Sequence, residues 1–288
     1  MTCVCDSDAS KVGGMLDGVR IVSLDELKRA HQNEMIIISV KDNRAQEEIK
    51  RNLENEGFTK IEVYEDVLQM NNVEFNREFC ADFHIEKMDD YFERAEEADW
   101  LGVFWREDSV FYKMFQQLDL ANVVELACGR GRHVQKYLDQ AGHVTLVDIL
   151  EKNIEYCRER FQGDSRIDYY KNNGYDLEKI KSESCTALFT YDAMVHFESM
   201  DIYQYLQETF RILCPGGKAL FHHSNNYSDY KASFRNAPPH GRAFMSKDLF
   251  AHYCYKAGLT VLEQHVIDWG EEGRNRVIGL DCVTLVQR

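Results

Sequence analysis

The chain has 288 residues, 44% of them hydrophobic and 12% aromatic, with only three prolines; this excludes a disordered, collagenous or linker-dominated chain and suffices for one large domain, alone or with a small companion. Formal charge is 34 − 49 = −15, which argues against a non-specific binder of nucleic acid or of an anionic membrane, since both rely on a cationic surface. The acid is unevenly placed, with 24 acidic against 12 basic residues over 1–100 and 25 against 22 over 101–288, so two regions of different character are expected.

In chain order, residues 1–75 read as a small α/β domain. It has strands at Cys3–Cys5 and Met35–Val40, an apolar pair Ile21-Val22, a helix at about 43–56 capped by Gly57, and a strand Ile61–Val63. Residues 76–118 read as a helical, acidic lead-in with interleaved aromatics: Phe92, Trp100, Phe104, Trp105, Phe111, Tyr112 and Phe115. That stretch is either a lid over a cofactor or a helical pair packed by its aromatic stripe. From Asp119 to the end, short apolar runs alternate with segments of helical period, the signature of β-α-β units on a largely parallel sheet. The runs are 122–127, 144–147, 167–170, 187–191 and 218–222, and the helix candidates are 131–141, 151–162, 176–181 and 201–213. Two long runs, 259–269 and 277–286, close the chain as an antiparallel hairpin around Gly270–Asn275.

Nine cysteines, an odd number without a C-x-x-C spacing and mostly inside apolar runs, predict free thiols in a reducing cytoplasm. No cationic stretch followed by an apolar one opens the sequence, and no uncharged apolar run approaches the roughly 18 residues of a membrane span. Neither a signal peptide nor a transmembrane helix is expected.

The chemistry concentrates in Val123-Val-Glu-Leu-Ala-Cys-Gly-Arg-Gly-Arg-His133, where an apolar strand runs into Gly129-x-Gly131 and then a helix start. Glycines there admit a close ligand, and the helix start offers unpaired N–H groups. Val144-Thr-Leu-Val-Asp148 ends a second strand in an acid, the position at which a carboxylate receives ribose hydroxyls. A dinucleotide fingerprint would place a third glycine at 134, which is Val134, and this counts against NAD or FAD.

These features, followed in order by Asn172-Asn-Gly-Tyr-Asp-Leu177, Tyr191-Asp-Ala-Met-Val-His196 and Leu213-Cys-Pro-Gly-Gly217, resemble class I S-adenosylmethionine-dependent methyltransferases over about residues 90–288. The resemblance implies a Rossmann-like seven-stranded mixed sheet with a C-terminal antiparallel hairpin, and S-adenosylmethionine as cofactor. It implies that Gly129 and Gly131 line the methionine moiety, Asp148 holds the ribose, Asn173 and Gly174 sit at the adenine edge, and Tyr191 and Asp192 close the pocket. Glu125 is expected at the cofactor ammonium, and Arg132, with Arg130 as the other candidate, at its carboxylate. His222-His-Ser-Asn225 and Asn236-Ala-Pro-Pro-His-Gly-Arg-Ala-Phe-Met-Ser246 are similar to bacterial members that modify saccharides. That likeness implies a hydroxyl oxygen of a small acceptor, such as a sugar or sugar nucleotide. Its proton needs a base, for which His196 is the first candidate and His222, His223 and His240 the next; His222 and His223 alternate on a strand and should face opposite sides. His133 is expected on a helix surface. A metal-assisted route could be drawn through Asp192, His196 and His222, but no metal is expected.

N-methylation of a small amine is the alternative within the class, and a cofactor-binding or assembly protein without chemistry the alternative outside it. The first domain resembles the later part of a Rossmann-like nucleotide-binding module without its phosphate loop. It is therefore expected to bind no nucleotide and to pack against the catalytic domain or a partner chain, the latter giving a homo-oligomer.

Overall fold

The structure is a computed structural model in which residues 3–16, 18–40, 43–63, 73–86, 88, 90–234, 240–270, 273 and 276–288 are described. It divides into two compact units, Met1–Asn76 and Arg77–Arg288.

In the first unit β1 (Val4–Cys5), β2 (Met15–Leu16) and β3 (Val19–Val22) form one short sheet, and β4 (Ile36–Ile38) pairs in parallel with β5 (Ile61–Val63) in another. Among the described residues the strand fragments thus make two separate sheets and no continuous doubly wound one. Helix α1 (Leu24–His31) was not legible in the sequence pattern, although its start is: the Ser23 hydroxyl accepts from Glu26 N, an N-cap. Helix α2 (Asn43–Asn55) ends where expected, with Gly57 at φ +89° and Phe58 N donating to Leu53 O. Val22, Leu27, Ile38, Leu53 and Phe58 make this unit's core.

The second unit is built on β6 (Asn122–Leu126), β7 (His143–Asp148), β8 (Ile167–Lys171), β9 (Cys185–Thr190), β10 (Leu213–Ser224), β11 (Thr260–Trp269) and β12 (Val277–Gln287), in the order β11-β12-β10-β9-β6-β7-β8. Strands β6 to β10 are parallel, and β12 runs antiparallel between β10 and β11. This is the expected seven-stranded mixed sheet. Buried on both faces, its parallel strands read in sequence as nearly unbroken apolar runs. Helices α3 (Val73–Glu86), α4 (Tyr91–Ala95) and α5 (Ala98–Trp105) precede the sheet in the chain, and one face of the sheet packs on α6 (Val110–Phe115), α7 (Val134–Tyr137) and α8 (Glu151–Arg160) through Phe111, Met114, Phe115, Tyr137 and Ile154. The other packs on α9 (Ser199–Ile212) and α10 (Lys247–Ala257) through Ile202, Leu206, Phe250 and Cys254. Part of the aromatic stretch is therefore core: Phe111 and Phe115 are buried, with Trp105 edge-on to both.

Three elements differ from the sequence pattern. The helix expected at 131–141 is only α7 followed by a 3-10 turn, Leu138–Gln140. No helix forms at 176–181: Asn173 Oδ1 accepts from Tyr175 N and Asp176 N in a turn, and α9 takes up the backbone that follows, Leu177 N donating to Glu208 Oε2 and Arg211 donating to Leu177 O and Ile180 O. The β10 strand begins at Leu213 and absorbs Cys214-Pro-Gly-Gly217 in a register shift before Lys218. Residues 271, 272, 274 and 275 of the hairpin turn, and 236–239 of the segment likened to saccharide-modifying proteins, lie outside the described residues.

From β6 the chain goes to β7 on one side, while β9 lies on the other. Ligands of such sheets bind beyond the carboxyl ends of the strands at this reversal, between β6 and β9.

Candidate cofactor and acceptor site

The loop after β6 carries three residues in the left-handed region at alternate positions: Ala127 (φ +57°), Gly129 (φ +54°) and Gly131 (φ +74°). At Gly131 a Cβ would stand 2.6 Å from Phe161 Cε2, and at Gly174 (φ +90°) 2.6 Å from Ile149 Cδ1, so both sites need glycine for space as well as for φ. Ala127 has no such latitude. Ala127→Gly is expected to stabilise the protein by roughly 0.5–1 kcal/mol in equilibrium denaturation, the left-handed cost exceeding the added unfolded-state entropy.

Asp148, at the end of β7, is buried and holds this loop. Its Oδ2 accepts from Gly129 N at 2.9 Å, and its Oδ1 from Leu150 N at 2.9 Å and Asn153 Nδ2 at 3.1 Å. Burial raises its pKa while those bonds oppose the shift. Most of its lone pairs are thus spent on the loop, so Asp148 shapes the cofactor cradle as well as standing where ribose was expected. The Asn173 side chain is likewise engaged, in the turn before Leu177.

Glu125 and Arg132 carry unsatisfied groups. Glu125 Oε2 accepts from the Tyr137 hydroxyl at 2.7 Å, whereas its Oε1 is buried without a hydrogen-bond partner. Burial pushes its carboxyl up to about 8 against the opposing effects of the Tyr137 bond and Arg132. Arg132 lies beneath the rings of Tyr91 and Phe104 and pairs through Nη2 with Asp192 Oδ2 at 2.8 Å, while its Nη1 is buried and unpartnered. Its Nε faces His133 Nε2 at 3.3 Å, and Trp105 Nε1 donates to His133 Nδ1. A neutral imidazole accepts at one nitrogen only, so Arg132 is short of acceptors on two sides. His133 itself is buried in the core and not on a helix surface. Arg130 pairs with Glu93 at 3.0 Å and lies between the rings of Phe92 and Tyr156.

Beyond β9, Tyr191 stacks on His222 (4.4 Å) and packs against Phe104 and Phe111. Asp192 follows in the left-handed region (φ +60°), and its N–H donates to His222 Nδ1 at 3.0 Å. Burial raises the Asp192 pKa, but Arg132, His222 and Arg242 outweigh it and the net direction is down. His222 is buried; its proton belongs on Nε2, which lies 3.2 Å from Asp281 Oδ2 at an angle short of a hydrogen bond. Nδ1 gives its lone pair to Asp192 N–H and Nε2, carrying the proton, has none, so the neutral ring holds Asp192 in place and offers no free lone pair for a base. His223 points to the opposite face, as strand alternation requires. It stacks on Phe250 at 3.7 Å, has both nitrogens engaged by Ser224 O and Thr284 Oγ1, and burial pushes its pKa down to about 3; these contacts remove it from the base candidates.

His196, in the short turn after β9, places Nδ1 2.6 Å from Gly241 O. That carbonyl can only accept, so Nδ1 carries the proton and Nε2 keeps a lone pair. Burial first, then the charges of His84 and Arg242, push its pKa well below 6.5.

Sequence reasoning passed over Asp281 altogether. Arg242 binds it in bidentate fashion, Nε to Oδ1 at 2.8 Å and Nη2 to Oδ2 at 2.7 Å, and both are buried. The available signal was an isolated acid inside the apolar run of β12. Among the described residues no group of three or more His, Cys, Asp or Glu is arranged to hold a metal ion, and no helix is long and apolar enough to cross a membrane.

Residues 123–217 match the family model for a methyltransferase domain. A chain in the complex of the Haloferax volcanii Trm112 methyltransferase activator with a methyltransferase is similar in fold at 17% identity and TM-score 0.53, covering 71% of this chain and 96% of that one. A SAM-dependent methyltransferase structure from Methanosarcina mazei is similar at 13% identity and TM-score 0.51, covering 62% and 98%. One from Clostridium acetobutylicum is similar at 14% identity and TM-score 0.50, covering 68% and 98%. No curated protein matches the chain. The fold, the glycine loop and the family match together define the second unit as a class I S-adenosylmethionine-dependent methyltransferase domain. Its cofactor is S-adenosylmethionine, leaving as S-adenosylhomocysteine.

Proposed function

We propose that the protein transfers a methyl group to a hydroxyl oxygen of a small acceptor, a sugar or sugar nucleotide being one such compound. Nine thiols without a disulfide suit the reducing cytoplasm. The observation that carries the acceptor reading is His196: Nδ1 is tied to Gly241 O, so the neutral ring presents the Nε2 lone pair as a base, which burial keeps unprotonated at some cost in basicity.

The residues fit the cofactor. The orphaned Glu125 Oε1 and Arg132 Nη1 are an acceptor and a donor awaiting an ammonium and a carboxylate, and at Gly131 and Gly174 a Cβ would meet Phe161 and Ile149, so the loop keeps its backbone bare. When bound, S-adenosylmethionine supplies an electrophilic methyl on a sulfonium. The chain's part is to hold the loop through Asp148, to exclude water with Phe104, Phe111 and Tyr191, and to receive the acceptor proton at His196 Nε2.

N-methylation is the second reading, favoured by the Asp192 carboxylate beside the Tyr91 and Tyr191 rings, a setting that suits an amine. Turnover measured as S-adenosylhomocysteine release over parallel panels of polyols and amines separates the two. His196→Ala is expected to lower the hydroxyl rate on the order of a hundredfold while S-adenosylhomocysteine affinity stays unchanged; an unchanged rate removes His196 from the role of base.

A further inference from the structure

Asp192 stands out once the charged groups around it are placed. It follows β9 directly, on the β9 side of the crevice whose β6 side is the glycine loop. Its backbone is held at φ +60° by the bond from its N–H to His222, and His222 in turn is backed by Asp281 and Arg242. A non-glycine residue kept in the left-handed region by a buried network points to a side chain whose direction matters.

That side chain is half used. Arg132 Nη2 and the Tyr91 hydroxyl both address Oδ2, at 2.8 and 3.4 Å. Oδ1 accepts no hydrogen bond among the described residues, and the side chain keeps 17% of its surface, so Oδ1 opens into the site. Arg132, His222 and Arg242 act on it, and counted over the whole site the formal charges balance, Arg132 and Arg242 against Asp281 and Asp192 itself, with His196 alongside. Such a setting does not select a cation by net charge; it offers one directed acceptor and, on His196 within its electrostatic reach, one imidazole lone pair.

We infer that Asp192 Oδ1 is an acceptor-binding and orienting group on the methyl-receiving side, taking an O–H or N–H of the incoming molecule while His196 Nε2 takes the proton of the reacting atom. The inference rests on the cofactor and base assignments above, and it moves Asp192 from the cofactor side, where the sequence placed it, to the acceptor side. It also narrows the acceptor to compounds with two hydrogen-bond donors at the reacting end: a vicinal diol under the hydroxyl reading, a primary amine under the other.

Sinefungin probes this without a known acceptor, because it carries an ammonium where the cofactor carries its transferable methyl and otherwise matches S-adenosylhomocysteine. With the full-length protein, calorimetry should give sinefungin an affinity at least about tenfold above that of S-adenosylhomocysteine, the effect of one charge-assisted hydrogen bond. Asp192→Asn, which tolerates the left-handed backbone and can still accept from Arg132, should bring the ratio to about unity while S-adenosylhomocysteine affinity changes little. Equal affinity of the two ligands for the wild-type protein overturns the inference, and so does a parallel loss of both in a folded Asp192→Asn. If that variant does not fold, the wild-type ratio alone decides. Failure of both ligands to bind the wild-type protein instead overturns the cofactor assignment beneath it.

Discussion

Glu125→Gln is expected to raise the stability of the unliganded protein at pH 7 to 8 while weakening S-adenosylhomocysteine binding at least about tenfold. Burial holds the Glu125 carboxyl at about 8 in the folded chain against the ordinary 4.5. Between those values the folded state carries a proton that the unfolded state has lost, so stability falls as pH rises from 4.5 and levels off above 8. At pH 7 the cost is on the order of 3 kcal/mol, and glutamine, which still accepts from Tyr137, removes it. Ligand binding reverses the sign: an ammonium at Oε1 favours the ionised carboxylate, so binding releases a proton below pH 8 and affinity rises with pH toward 8. Calorimetry in buffers of different ionisation enthalpy reads that proton, and thermal denaturation across pH reads the stability slope. A slope that survives in Glu125→Gln would assign it to another group.

Arg132→Met is expected to weaken S-adenosylhomocysteine roughly 10- to 100-fold and to leave 5′-methylthioadenosine, which lacks the amino-acid end, almost unaffected. The wild-type guanidinium has a buried, unpartnered Nη1 and an Nε aimed at a histidine that cannot satisfy both of its neighbours, so a carboxylate would supply missing acceptors. The variant also leaves Asp192 without its ion pair at Oδ2 and should be less stable, which is why comparison of the two ligands on the same protein carries the test. Equal loss of both would make Arg132 a general structural residue.

The sheet was legible because buried parallel strands leave little choice of residue: Val123 to Leu126, Val144 to Val147 and Cys185 to Thr190 are apolar except for Glu125, Thr145, Thr186 and Thr190. The opposite facing of His222 and His223 followed from the period of two in a strand. What stayed hidden depends on tertiary partners. Nothing in the identity of Ala127 announces a left-handed backbone, and the burial of His133 beside Trp105 and Arg132 is set by a helix that ends 28 residues upstream. Arg242 and Asp281 meet across a gap of 39 residues, and only the isolated acid in an apolar strand hinted at them. The helix expected at 176–181 is absent where Glu208 and Arg211, 31 to 34 residues on, bond Leu177 N, Leu177 O and Ile180 O, tertiary partners that no local pattern announces.

Calorimetric titration of the full chain with S-adenosylhomocysteine tests the central claim most directly. One site per chain is expected, with Asp148→Ala weakening it more than about tenfold as the carboxylate that holds Gly129 N is lost. Absence of binding by both S-adenosylhomocysteine and S-adenosylmethionine would contradict the account.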